Sequence, residues 1–222
     1  MLLTVGYSAN AVTLEDLINN NGTITSGDKT FSNFSYSPSG STLPTAADIN
    51  VNPIQLNGNY GIQFQAGFNN PTFGTTTDAL LGFTVTAPGP LIVDDELLGN
   101  PFTLAGSGNS SLSGAVSIVE TAINSNNQTV NTLSIQDSAT YDPSTGKTTH
   151  TTISDDHGYF TATPYNYLII NKDMQFRNGG LEPTLSYVDQ SFSQVPEPSA
   201  LMMLFGSGIC GSLFFLRKRS VA

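Results

Sequence analysis

The chain has 222 residues, with 7 Lys+Arg against 17 Asp+Glu, one cysteine, two histidines and no tryptophan. This composition excludes a disulfide-held scaffold and a cysteine-ligated zinc module, and the net charge of −10 leaves no basic surface for nucleic acid. The polarity comes instead from neutral side chains, with 24 Ser, 26 Thr and 20 Asn.

The first 11 residues resemble the end of a signal peptide, but the basic segment that usually begins one is missing. Ala9-Asn10-Ala11 has the small-x-small pattern of a signal-peptidase site, with Ala9 and Ala11 as the recognised residues. The apolar stretch before it is short and has no basic residue. The alternative interpretation is an ordinary soluble terminus.

One short helix is predicted after this segment. Thr13 is suited to an N-cap, and Leu14, Leu17 and Ile18 follow at helical spacing. The helix should end in the run 19–22, because Asn and Gly tolerate the left-handed backbone that closes a helix.

The remainder of the body has the pattern of strands and turns. In Ile62–Phe68 every second residue is apolar, which is the period of a strand with one buried face. Similar runs recur about every ten residues, and no long helical segment separates them, so an antiparallel β-sandwich of jelly-roll type is predicted. The other predicted strands are 30–36, 81–86, 91–93, 115–121, 130–135, 159–162, 167–170 and 185–188.

Two acidic clusters are candidates for a metal-binding or catalytic site. Asp94, Asp95 and Glu96 could ligate calcium through carboxylates, but the spacing of a calcium loop is absent and a solvated loop is the preferred interpretation. The run 155–157, Asp-Asp-His, combines carboxylates with an imidazole, and a solvated turn is preferred there. Since no nucleophile signature is present, we expect no enzymatic activity, no cofactor and no resident metal.

The C-terminal end combines three features in a fixed order. Pro196-Glu197-Pro198 comes first, the uncharged segment 200–216 follows, and Arg217-Lys218-Arg219 stands close to the end. As a helix the uncharged segment would span roughly 25 Å, a short but sufficient transmembrane length, with the cations on the cytoplasmic side. A buried helix or a plain tail anchor would not explain the two prolines around Glu197.

This order of features resembles the PEP-CTERM sorting signal of Gram-negative bacteria. The resemblance implies that exosortase, a membrane-embedded protease-transpeptidase, recognises Pro196, Glu197 and Pro198 while Arg217, Lys218 and Arg219 anchor the segment. It also implies an association with exopolysaccharide production and biofilms. Because a C-terminal sorting signal requires export, residues 1–11 are interpreted as the remnant of a truncated signal peptide.

The resulting organisation is a remnant at 1–11, a β-rich extracytoplasmic domain at 12–190, a linker at 191–199, a transmembrane helix at 200–216 and a basic tip at 217–222. The preferred function is a structural or adhesive surface or matrix protein, with exosortase, transiently the inner membrane, and exopolysaccharide as partners. One alternative is a carbohydrate-binding or carbohydrate-cleaving domain, and another is an uncleaved single-pass membrane protein. Without tryptophan, sugar stacking would fall to Tyr60, Tyr141, Tyr159, Tyr165 and Tyr167.

Overall fold

The computed structural model describes residues 12–89, 91–160 and 164–194. These residues form two seven-stranded sheets in which every strand pairing is antiparallel. The strands are β1 Val12–Thr13, β2 Ile24–Ser26, β3 Lys29–Ser39, β4 Asn50–Leu56, β5 Asn59–Asn69, β6 Thr75–Thr86, β7 Asp94–Gly99, β8 Phe102–Thr103, β9 Leu112–Ile123, β10 Thr129–Asp142, β11 Lys147–Ile153, β12 Asp155–Tyr159, β13 Tyr167–Gly179 and β14 Pro183–Phe192.

Sheet I has the order β1-β4-β5-β14-β7-β12, with β8 also paired to β14, and sheet II has the order β11-β10-β9-β13-β6-β3-β2. The predicted antiparallel β-sandwich is therefore confirmed, while the jelly-roll connectivity stays a prediction. The last of the described strands, β14, lies inside sheet I between β5 and β7. This position brings the C-terminal end of the described chain into the middle of the fold.

The predicted helix is present as α1, Leu14–Asn19. The Asp16 backbone N–H donates to Thr13 Oγ1 at 3.1 Å, which satisfies one free donor of the first turn. Leu14 and Leu17 are buried, so the helix packs its apolar side on the core. A 3-10 helix, Ala46–Asp48, leads into β4.

The core lies between the two sheets and is rich in phenylalanine. Phe34, Phe64 and Phe83 contact one another, with ring centroids 5.7 to 6.4 Å apart. Phe192 at the end of β14 packs on Phe31 of β3 at 6.1 Å. Aromatic residues from both ends of the chain therefore hold the sheets together.

The strand predictions differ from the structure in defined places. The apolar runs predicted from alternation lie within β3, β5, β6, β9, β10, β13 and β14. The run 91–93 is not a strand, although Ile92 makes isolated bridges. Of the predicted strand 159–162, Tyr159 is the last residue of β12, Phe160 lies in no strand, and 161–162 lie outside the described residues. The sequence does not predict β1, β2, β4, β7, β8 and β11, nor β12 before Tyr159, because these strands are very short or have an apolar pattern interrupted by polar residues.

In the part of the chain that the structure describes, no helix has the length and apolar character needed to cross a bilayer. The predicted transmembrane segment 200–216 lies outside the described residues. The same holds for Ala9, Ala11, the Pro196-Glu197-Pro198 motif and the cations Arg217, Lys218 and Arg219.

Candidate functional site

The proposed calcium ligands lie on one strand but do not converge. Asp94, Asp95 and Glu96 are successive residues of β7, so their side chains alternate between the two faces of sheet I. Asp94 accepts a hydrogen bond from the Ser193 backbone, and Glu96 accepts one from the Ser191 hydroxyl. Across residues 12–89, 91–160 and 164–194, no group of three or more His, Cys, Asp or Glu side chains could hold a metal ion.

The interpretation of 94–96 as a solvated loop is wrong. Asp94 is 4% exposed and Asp95 is fully buried, because β7 lies between β14 and β12 in sheet I. Carboxylates with partners from distant strands can occupy such a position, and those partners are not visible in the local sequence.

The turn predicted at 155–157 is wrong, since these residues belong to β12 at the edge of sheet I, whereas Asp155 and His157 are solvent-exposed as predicted. His157 Nε2 lies 3.1 Å from Asp94 Oδ2, and its ring centroid lies 4.6 Å from that of Tyr159. The second histidine, His150, contacts Asp137 in a similar way, with Nδ1 to Oδ2 at 3.1 Å. Each histidine is therefore paired with an aspartate on a neighbouring strand.

The most unusual group of side chains lies in the core between the sheets. Lys172 of β13 and Glu120 of β9 are a direct cross-strand pair, and both are at most 1% exposed. Lys172 Nζ donates hydrogen bonds to Glu120 Oε2 and to Oε1 of Gln190, a fully buried residue on β14 of the other sheet. Asp95 completes this group, which we call the buried cluster: Asp95, Glu120, Lys172 and Gln190.

Burial dominates the protonation of the buried cluster. It raises the pKa of Asp95 to about 8, and the nearby Glu120 carboxylate adds to this rise. Burial also raises the pKa of Glu120 and lowers the pKa of Lys172. Asp95 Oδ1 accepts from the Asn131 amide, while Asp95 Oδ2 and Glu120 Oε1 receive no N–H or hydroxyl donor. A proton held on Asp95, the state that its raised pKa favours, would let this carboxyl group donate a hydrogen bond to Glu120.

This pKa shift predicts that the protein loses stability as the pH rises. The unfolded chain releases the Asp95 proton near pH 4, whereas the folded chain holds it to about pH 8. Between these values the unfolded state binds fewer protons, so the free energy of unfolding falls with increasing pH, at most by about 1.4 kcal/mol per unit from this group. Urea unfolding of the wild type and of Asp95→Asn over this range measures the effect. Equal slopes in the two proteins would contradict it.

The tyrosines proposed for sugar stacking are dispersed. Tyr60 lies against Lys29, with Nζ 5.6 Å from the ring centroid, and Tyr141 is 7% exposed and donates to the Gly108 carbonyl. Tyr165 packs on Phe160, and Tyr167 is half-buried at the start of β13. Tyr159 is 69% exposed and is the only one of these five that presents a largely free ring.

A groove of about 550 Å³ lies on the outer face of sheet II. Its lining includes Ser35, Asn171 and Asp173 together with the exposed aliphatic side chains of Leu80 and Val119. The strand register places Leu80, Asp173 and Val119 in one row across β6, β13 and β9. The groove therefore offers hydroxyl, amide and carboxylate groups beside a small apolar surface.

The end of the described chain is held firmly in sheet I. The Val93 N–H donates to the Ser193 carbonyl at 3.0 Å, and Ile92 forms a bridge with Gln194. Ser191 and Phe192 are fully buried in β14, so the prediction of a linker starting at 191 is wrong. The domain continues at least to Gln194, because Phe192 contributes its ring to the core and Gln194 is still bridged to Ile92.

A family model described as the PEP-CTERM protein-sorting motif matches residues 194–219. The chain carries a PEP-CTERM sorting motif. The match covers the predicted Pro196-Glu197-Pro198, the uncharged segment and Arg217, Lys218 and Arg219. The motif implies processing by exosortase and export to the cell envelope and surface. It begins at the residue where the described sandwich ends.

Comparisons of the whole chain add little to the PEP-CTERM assignment. No curated protein matches it. Among solved structures, one titled as TmCBM61 in complex with β-1,4-galactotriose aligns over 73% of this chain and 89% of that chain, at 12% identity and a TM-score of 0.32. Similarity at that level says nothing about a ligand of this chain.

Proposed function

We propose that this protein is an exosortase substrate that is displayed at the cell surface or released into an exopolysaccharide matrix, where its β-sandwich has a structural or adhesive role. The observation that carries the proposal is the direct junction between fold and signal. Gln194 is still bridged to Ile92, and the PEP-CTERM match starts at the same residue. Cleavage near Pro196 would therefore release a complete sandwich with almost no tail.

An inner-membrane intermediate is part of the proposal. Segment 200–216 would hold the chain in the inner membrane with Arg217, Lys218 and Arg219 on the cytoplasmic side, until exosortase acts at Pro196-Glu197-Pro198. The sandwich would then face away from the cytoplasm. A non-enzymatic role is favoured because the one close pair of carboxyl groups in the buried cluster, Asp95 and Glu120, is out of reach of a substrate.

The carbohydrate-binding alternative rests on the groove of sheet II. Its neutral hydroxyl and amide lining suits sugar hydroxyls, and the excess of acidic residues disfavours anionic polymers. Only Tyr159 among the five tyrosines offers an exposed ring, and it lies on β12 of the other sheet. This alternative stays a prediction.

Replacing Pro196-Glu197-Pro198 by Ala-Gln-Ala tests the proposed function. In a host that makes exosortase, the wild-type surface form should lack Arg217 to Ala222, while the variant should stay full-length in the inner membrane. Membrane fractionation and mass spectrometry measure both. The control, Glu15→Gln, removes one negative charge from the exposed side of α1 and should be processed normally. Intact Arg217–Ala222 peptides on the wild-type surface form would favour the uncleaved single-pass alternative instead.

A further inference from the structure

The buried cluster brings an amine, an amide and a carboxyl group into contact inside the core. Lys172 and Gln190 come from opposite sheets, and Lys172 Nζ donates to the Gln190 side-chain carbonyl. Glu120 accepts from the same Nζ. Since all three side chains are at most 1% exposed, bulk water does not compete for these contacts.

The apolar surroundings of Lys172 favour its neutral amine, which is the nucleophilic form. A lysine in an apolar core is driven toward its neutral form, because a charge there is costly, and burial lowers the pKa of Lys172 accordingly. Transfer of its proton to Glu120 leaves two neutral groups in place of a buried ion pair. The neutral amine then lies beside the Gln190 side-chain amide, with Nζ 2.5 Å from Oε1, so the nucleophile and the amide are held next to each other.

The amide is equally well placed as an acceptor. Gln190 Nε2 makes no hydrogen bond of normal geometry, so the nitrogen that would leave is not held by a partner. The Gln190 side chain nevertheless lies close enough to Glu120 to help lower the pKa of that carboxyl group against the effect of burial. Glu120 therefore adjoins both the attacking and the leaving nitrogen.

We propose that Lys172 and Gln190 join in an intramolecular isopeptide bond, with Glu120 transferring the proton. Nζ of neutral Lys172 attacks Cδ of Gln190 and forms the new C–N bond. Glu120 moves a proton from Nζ to the departing amide nitrogen, the bond between Cδ and Nε2 breaks, and ammonia leaves. An amine and a primary amide become a secondary amide and ammonia, so no oxidant or co-reactant is required.

The bond would connect the two sheets through the centre of the sandwich. Gln190 lies on β14, the strand that immediately precedes the PEP-CTERM motif. If the protein is attached through its C-terminal end, which rests on the proposed function, a pulling force enters the domain at β14. A covalent link from β14 to β13 would carry that force into the second sheet.

Intact-mass measurement of the purified full-length chain tests the bond directly. The wild type should be lighter than its sequence mass by about 17 Da, the mass of the ammonia lost. Lys172→Arg and Glu120→Gln should show no loss, because the first removes the nucleophile and the second the proton carrier. Lys29→Arg is the matched control, since Lys29 is also 1% exposed but lies beside Asp28, and it should keep the loss.

Tryptic digestion locates the bond. An acylated Lys172 resists cleavage, so the peptide 148–177 should appear as a branch on the peptide that begins at Asn178 and contains Gln190. A wild-type chain at its full sequence mass would overturn the proposal even if the variants fail to fold. A loss of about 18 Da with Lys172 joined to Glu120 would overturn the assignment to Gln190. Neither measurement depends on exosortase, so failure here is distinguishable from failure of the proposed sorting.

Discussion

Gly61→Ala is expected to destabilise the protein by roughly 3 kcal/mol, the upper end of the usual cost of about 1–3 kcal/mol for overpacking a closely packed site. A Cβ on Gly61 would lie 1.9 Å from the Gln190 backbone oxygen and 2.9 Å from the Ser191 Cα. Gly61 and Ser191 are partners in the β5–β14 pairing at the centre of sheet I. Neither strand can move aside without disturbing its other neighbour.

Gly67→Ala on the same strand is the matched control. A Cβ there would meet nothing within 4 Å, and the residue is exposed. Relief of the glycine backbone entropy should make this substitution neutral or stabilising by about 0.5 kcal/mol. Urea unfolding of both variants measures the difference, and equal costs at the two positions would show that β5 and β14 are not packed as described.

Lys172→Met is the second substitution with a large expected effect. Removing the side-chain nitrogen leaves Glu120 buried without the group that pairs with it, which typically costs about 3–5 kcal/mol. The control is Lys147→Met, because Lys147 is exposed at the start of β11 and its loss should change the free energy of unfolding by less than about 0.5 kcal/mol.

The double variant Lys172→Met with Glu120→Leu separates two sources of this stability. It removes both polar partners, so it should recover most of the cost of leaving Glu120 buried and unpaired. It cannot recover the stabilisation of a covalent bond to Gln190. Full recovery of wild-type stability would indicate a simple ion pair, whereas a single-variant cost equal to that of Lys147→Met would indicate that the charges are not buried.

The sequence predicted those parts of the fold whose apolar pattern is uninterrupted. The period of two in Ile62–Phe68 corresponds to β5, although Ala66 is only half-buried, and Thr13 caps α1 as its position predicts. β7 and β12 were missed because runs of Asp are typical of solvent-exposed loops. The burial of Asp94 and Asp95 in β7 depends on partners far away in the sequence, Ser193 for Asp94 and Asn131 for Asp95.

The buried cluster could have been suspected from β13 alone. Leu168, Ile170, Met174 and Phe176 occupy alternate positions of this strand, and Lys172 falls in the same inward series. A lysine at such a position requires a buried acidic partner. The sequence could not identify Glu120 or Gln190 as that partner, because the pairing depends on the order and register of the strands.

The place of β14 also determines when the sandwich can form. β14, in the middle of sheet I, is the last of the described strands, so β5 and β7 cannot reach their shared neighbour until almost the whole domain has been synthesised. Contacts over such long sequence separations form slowly. The sandwich therefore cannot be completed on an unfinished chain, and the domain stays open until β14 is made. The sandwich is completed only when β14 has been made, and the sorting motif directly follows that strand in the sequence.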